Sequence, residues 1–340
     1  MKAAVVPEHG QLEVRDLPDP EPGPYQCLVD IDVCAICTGT DSNIISGNFP
    51  WLADTPFILG HESSGRIVQL GERVRNFSLG QRVTRPAGVL PGQRRDGVGS
   101  NWGGFAELGL VVDVEAVSED GGECEGLPRD TRRPLPKDVD SISGALSINQ
   151  REILSVVDDL PVNSDWRVLI LGSGYNGMLF SLYLKAAGAG RVVMSGNASR
   201  ERLARHSFEA DDFLDYRSEP SPAEVHEMTG GKPTHVIDAV GTVESVRLAR
   251  RVMGSDTIFA KYGLHEFDRI EDLVSDIEES HSTLQLSTDE VGATDRWYAL
   301  WKDGFYEREG MCDGGVALEE INEAFERLER REAMKLVVTM

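Results

Sequence analysis

Residues 164–197, "SDWRVLILGSGYNGMLFSLYLKAAGAGRVVMSGN", decide the fold. The apolar run "RVLIL" reads as a buried strand, the glycines after it as a tight turn, the next stretch as a long helix, and "RVVM" as a second buried strand. That order is a βαβ unit. Its turn, Gly172-Ser173-Gly174-Tyr175-Asn176-Gly177, has the G-x-G-x-x-G spacing. In this setting the first glycine makes the turn, the second lets backbone approach a pyrophosphate, and the third lets the helix pack closely on the strand. The pyrophosphate would sit at the positive N-terminus of the helix. Downstream, "THVIDAVG" and "SDTIFAKYG" repeat the short apolar strand with helical stretches between, as in a doubly wound parallel sheet.

The second strand runs into Ser195, Gly196 and Asn197, with Arg200 just beyond. A carboxylate here would accept hydrogen bonds from the adenosine ribose and repel a 2′-phosphate. None is present. Small polar residues and one cation leave room and charge for that phosphate, so NADP(H) is expected over NAD(H).

Upstream of residue 150 the pattern differs. Short β-type runs, "LEVRDLPDPEPGP", "QCLVDIDVCAI", "SSGRIVQLG", "GQRVTRP" and "FAELGLVV", are bounded by Gly, Pro or Asn, as in a compact β-rich domain with no strong helix. The polar stretch 118–137 reads as an exposed loop. The tail "ALEEINEAFERLERREAMKLVVTM" reads as an amphipathic helix and a terminal strand. At 340 residues the chain exceeds the size at which one core stops growing, roughly 250–300 residues, so two domains are expected.

Composition narrows the function. A formal net charge of −23 repels phosphate backbones, which disfavours DNA or RNA as a partner. No run of about 18 apolar residues is present and the start "MKAAVVPEHG" lacks a secretion-signal core, so a cytoplasmic protein without membrane attachment is expected. The five cysteines are odd in number and scattered, unlike a disulfide framework.

Two short stretches carry the chemistry. "VCAICTGTD", 33–41, supplies Cys34 and Cys37, and "LGHESSG" supplies His61 and Glu62 between glycines. A thiolate, an imidazole and a carboxylate suit a catalytic Zn²⁺ that keeps one position open. Cys34 reads as a small buried residue, Asp41 as a residue that orients the loop or the cofactor, and Trp51 and Trp102 as packing or as the lining of a substrate cleft.

The β-rich part with "CAICTGTD" and "GHESSG", the βαβ unit and the "EINEAFERLE…KLVV" tail together resemble the zinc-containing medium-chain alcohol and polyol dehydrogenase family over nearly the whole chain. The resemblance implies an α/β protein: a GroES-like catalytic domain over 1–155, completed by about 291–340, and a Rossmann domain over 156–290, with one catalytic zinc in the cleft between them. It maps the zinc ligands onto Cys37 and His61 and places Glu62 beside the metal. Glu152 in "SISGALSINQREILSVV" is the candidate third ligand, with Gln150 as the fallback. It also implies a homodimer or homotetramer joined at Rossmann sheet edges, for which "SDTIFAKYGLH" is the candidate edge.

The sequence departs from the family in three places. One residue is inserted in Cys37-Thr38-Gly39-Thr40-Asp41, so either Thr38 or Thr40 is the hydroxyl that passes the substrate proton. Asn43 stands where the relay histidine is often found. The stretch 85–104 has no cysteine, so no structural zinc is expected. The expected reaction is NADP(H)-linked interconversion of a secondary alcohol and its ketone, on a polyol, a sugar or a biosynthetic intermediate. The rivals are a zinc-free reductase of activated alkenes or quinones and a non-catalytic NADP(H)-binding sensor or structural protein.

Overall fold

The structure is a computed structural model that describes residues 1–49, 52–124, 133–263, 265–284 and 286–340. The chain divides into two compact units. The first comprises 1–149, 294–299 and 312–340, and the second comprises 150–293 and 300–311.

In the second unit the described strands form one parallel sheet. Its spatial order is Asp212–Asp215, Arg191–Gly196, Arg167–Leu171, His235–Asp238, Ile258–Lys261 and Thr283–Leu284. Numbered by appearance within this unit, that order is 3-2-1-4-5-6, the doubly wound arrangement whose topological switch lies between its first and fourth strands. Both strands are buried on both faces, as a sheet covered by helices requires. The core on one side packs Leu169, Val193, Val236 and Phe259 against Val246, Val252, Ile270 and Ile277 of the covering helices.

At the switch, Gly172 (φ +115°) turns the chain into the helix Tyr175–Ala186. A Cβ on Gly177 would stand 2.1 Å from the Gly172 carbonyl oxygen, so only glycine permits this approach of helix to turn. Across the switch, Asp238 is fully buried and accepts hydrogen bonds from the backbone N–H groups of Val240 and Gly241 and from Ser245 Oγ, at 3.0, 3.0 and 2.8 Å. These bonds fix the loop that follows the fourth strand.

The strand Ile258–Lys261 pairs on both sides, with His235–Asp238 and with Thr283–Leu284. The expectation that "SDTIFAKYGLH" forms a sheet edge is therefore corrected: the short strand Thr283–Leu284 lies outside it. A two-residue strand carries too few residues to show a period, which hides it in the sequence.

His235 opens the fourth strand and stacks on Trp166, with ring centroids 3.5 Å apart and planes 18° apart. Burial disfavours its charged form and pushes its pKa down to about 4. The unfolded chain, with histidine near 6.5, binds more protons between these values, so this stability is present above pH 6.5 and is lost as pH falls towards 4. Urea midpoints of the wild type should drop between pH 7 and pH 5 more steeply than those of His235→Phe. Parallel slopes would show that His235 does not contribute.

In the first unit the long strand Gln26–Ala35 lies at the centre of a mixed sheet. It pairs antiparallel with Glu62–Leu70, Leu108–Val112 and the C-terminal Val337–Thr339. The register Ala35↔Glu62 and Cys34↔Ser63 brings the two chemistry-bearing stretches to the same end of the sheet. A second, four-stranded sheet is built on Lys2–Val6. The cysteine-free stretch 85–104 is tied down by Arg94, which donates to the carbonyls of Gly97, Asp54, Thr55 and Pro56 at 2.9–3.3 Å.

Helices are more prominent here than the sequence suggests. Thr38–Ser46, Val114–Glu119 and the N-terminal half of Ser141–Asp158 belong to this unit. Thr38–Ser46 has only two large apolar residues, and Ser141–Asp158 is buried on nearly every side, so neither shows an amphipathic stripe. The stretch read as an exposed loop is partly structured: Cys124 and Leu135 are buried, while 125–132 lie outside the described residues.

Candidate metal centre and cofactor site

The stretch 33–41 is both a strand end and the start of a helix. The strand Gln26–Ala35 stops two residues short of Cys37, which caps the helix Thr38–Ser46 in an extended conformation. Asp41, fully buried in the first turn, accepts the Cys37 N–H at Oδ2 over 2.9 Å, and its Oδ1 lies 3.1 Å from His61 Nδ1. One carboxylate thus orients both residues. With Nδ1–H donated to Asp41, the His61 Nε2 lone pair is left for a metal, the arrangement in which an outer carboxylate fixes the tautomer of a ligating imidazole.

Glu62 opens the neighbouring strand, and His61 stands just before it. One ligand atom from each of Cys37, His61 and Glu62 lies within 4.8 Å of the others, and His61 Nε2 is 3.8 Å from Glu62 Oε1. Glu62 is fully buried. Its Oε2 accepts a 2.5 Å hydrogen bond from Lys335 Nζ, while its Oε1 has no hydrogen-bond partner among the described residues. A buried carboxylate oxygen without a partner is costly, and a cation held with His61 and Cys37 would satisfy it. The donor set of thiolate, imidazole and carboxylate fits zinc.

The electrostatics agree with that reading. Burial pushes the His61 pKa down, but the Asp41 carboxylate and Cys37 outweigh it and raise the group to about 10. Without metal the site therefore holds a proton that a metal would replace. The Cys34 thiol, fully buried, is pushed well above its ordinary value by burial and then by Asp41 and Glu62. It stays protonated and takes no part as a thiolate, consistent with its reading as a packing residue.

The other expected residues fall as follows. Thr40 Oγ1 lies 3.5 Å from Cys37 Sγ, and Thr38 is half-buried on the turn before it. Asn43 is buried within the same helix. Glu152 is in the second unit, where Tyr262 donates to its Oε1 at 2.7 Å, and Gln150 donates to the Tyr175 hydroxyl at 3.2 Å. Trp51 lies outside the described residues. Lys335 and Arg85 were not singled out by sequence. Arg85 (φ +55°) donates to the His61 carbonyl at 3.0 Å, and Lys335 is 273 positions from the carboxylate it binds, so no local signal marks either one.

In the second unit the helix Tyr175–Ala186 begins at Gly174 with no side-chain cap, and a Cβ at Gly174 would meet nothing within 4 Å. The first-turn N–H groups and the open space above Gly174 suit a pyrophosphate. Ser195 and Gly196 are buried at the end of the neighbouring strand, and Asn197 N–H donates to Ser173 Oγ at 3.2 Å. Asn197 Oδ1 caps the turn Ala198–Arg200, whose last residue is half-buried.

Residues 23–119 match the family described as "Alcohol dehydrogenase GroES-like domain". Across the full length, the chain resembles a protein from Sinorhizobium meliloti described as a zinc-binding dehydrogenase and solved with NADP bound. That likeness has a TM-score of 0.77 and 27% identity, covering 100% of this chain and 99% of that one. Over most of its length the chain is similar to medium-chain alcohol and polyol dehydrogenases. Sorbitol dehydrogenase of Ovis aries is 28% identical over 72% of this chain and 69% of its own length. L-threonine 3-dehydrogenase of Ruegeria pomeroyi is 33% identical over 65% and 64%. These similarities support an oxidoreductase of the alcohol and polyol kind, with a GroES-like and a Rossmann unit. Among its described residues no helix is long and apolar enough to cross a membrane.

Proposed function

We propose that this protein is a zinc-dependent, NADP(H)-linked dehydrogenase that interconverts a secondary alcohol and its ketone, the substrate being a polyol, a sugar or a hydroxylated biosynthetic intermediate. The observation that carries it is the convergence of Cys37, His61 and the partnerless Oε1 of buried Glu62 within 4.8 Å. Zinc held there would supply a Lewis acid that lowers the pKa of the substrate hydroxyl. A nicotinamide cofactor held at the glycine turn 172–177 would supply the hydride acceptor and donor.

The protein's own residues do the rest. Asp41 holds His61 and the Cys37 backbone in ligating positions. Of the two candidate threonines, Thr40 is favoured to take the carbinol proton because its Oγ1 lies 3.5 Å from Cys37 Sγ. The carboxamide of Asn43 cannot titrate as an imidazole does, so the proton continues through water. Glu152 is proposed as an additional ligand to the metal. The preference for NADP(H) rests on Ser195, Gly196, Asn197 and Arg200, a run without a carboxylate that would repel the 2′-phosphate. A cytoplasmic homodimer or homotetramer completes the reading.

The test is zinc content by plasma emission spectrometry on fresh protein, alongside oxidation of secondary alcohols with each cofactor. The expected result is about one zinc per chain and kcat/KM at least about tenfold higher with NADP⁺ than with NAD⁺. A zinc-free preparation that reduces activated alkenes or quinones at full rate would replace this reading with the zinc-free reductase. Equal or better turnover of long aliphatic alcohols would remove the polyol assignment.

A further inference from the structure

Trp102 occupies an unusual place. It is a large aromatic residue left 38% exposed, and its backbone is left-handed, with φ +63°. The N–H of Gly103 donates to the carbonyl of Asn101 at 2.9 Å, closing a three-residue turn with Trp102 at its centre. An i to i+2 bond around a central residue of positive φ is the rare, strained form of the γ-turn, and for a bulky side chain it is an outlier. Such strain persists where the surroundings over-determine the conformation, and it concentrates at functional sites.

The surroundings here do over-determine it. On either side of Trp102 the backbone is laced to the segment that ends in His61. Asn101 N–H donates to Ile58 O at 2.9 Å, Gly104 N–H to Gly60 O at 2.7 Å and Phe105 N–H to Leu59 O at 2.9 Å. A Cβ on Gly104 would stand 2.4 Å from Ser63 Oγ, so the turn is pressed onto the strand that carries the metal ligands. The indole lies 5.3 Å from the His61 ring at 49°, and Phe49 meets it edge-on at 6.2 Å. The side chain is thus fixed one ring's distance from a ligand of the metal centre, with part of its surface open.

Building on the reading of this site as a metal-centred alcohol dehydrogenase, we infer that Trp102 is a specificity-determining residue that stacks against a ring carried by the substrate. An alcohol whose oxygen lies among Cys37, His61 and Glu62 brings the atoms next to its carbinol carbon within reach of the indole. A flat face satisfies that surface better than a flexible chain, because a rigid ring stacks with little loss of conformational freedom. The face can be the C–H surface of a cyclic polyol or the π surface of an aryl group. Both share the requirement for a ring.

The test compares kcat/KM for myo-inositol and for 1-phenylethanol with that for 2-butanol in the full-length holoenzyme, in wild type, Trp102→Gly and Trp102→Phe. Glycine accepts φ +63° without strain, so removing the ring should preserve the fold, as thermal melting would show. The expected result is a fall in the ring-to-chain ratio on the order of tenfold in Trp102→Gly and its recovery in Trp102→Phe. The ring probe whose ratio falls assigns the substrate to cyclic polyols or to aryl alcohols. Equal losses on ring and chain substrates would mean that Trp102 only steadies His61, which overturns the inference, as would wild-type turnover of 2-butanol but of neither ring. Failure of the wild type on every alcohol is a separate outcome that overturns the alcohol dehydrogenase reading and this inference with it.

Discussion

In Cys37→Ala and in His61→Ala the bound zinc is expected to be lost, and kcat/KM for ketone reduction is expected to fall on the order of a thousandfold or more. Each substitution removes one of the two donors that suit zinc best and leaves only the other and a carboxylate to hold it. Polarisation of a carbonyl by a metal supplies several kcal/mol, and about 4 kcal/mol corresponds to three powers of ten in rate. Cofactor binding should survive, because the glycine turn at 172–177 belongs to the other compact unit. Metal analysis and NADPH fluorescence titration on the same samples separate the two. A His61→Ala protein that kept both its zinc and its rate would show that the ligand set is wrong.

The second large effect concerns Lys335. Its side chain and that of Glu62 are 2% and 0% exposed and meet at 2.5 Å. Taking either charge from water is costly, and their attraction offsets that cost only while both are present. In metal-free protein, Lys335→Met should therefore lower unfolding stability by about 3–5 kcal/mol, since it strands the Glu62 carboxylate. Zinc should narrow the loss, because a cation beside Oε1 gives that carboxylate a second partner. The double variant Glu62→Leu with Lys335→Met should recover most of the stability, as apolar replacements of buried pairs commonly do. Urea unfolding of the three proteins, with and without zinc, reads this directly. An unchanged midpoint in Lys335→Met would show that the pair carries no net weight.

Much of the fold was legible in residues 164–197 because a buried parallel strand, a glycine turn and a helix leave strong local marks. Cys37 and His61 were legible in a weaker sense, as residue types suited to zinc whose meeting had to be supplied by resemblance. The sequence marks Asp41 as a residue that orients the loop or the cofactor, and in the structure it holds His61 and the Cys37 backbone. The helix Thr38–Ser46 is not legible in the sequence because nine residues with two large apolar side chains carry no stripe, and its start is fixed by the hydrogen bond from Cys37 N–H to Asp41 instead.

The sequence by itself determined the class of each half, the cofactor turn and the donor types available for a metal. These depend on local periodicity and on residue chemistry, which the chain carries wherever it folds. Tertiary structure alone decided that Lys335 meets Glu62 across 273 positions and that Thr40 Oγ1 comes to 3.5 Å from Cys37 Sγ. It alone also placed Trp102 beside His61 through a strained turn. Contacts between distant positions are set by strand register and by close packing, and neither leaves a periodic trace in the sequence.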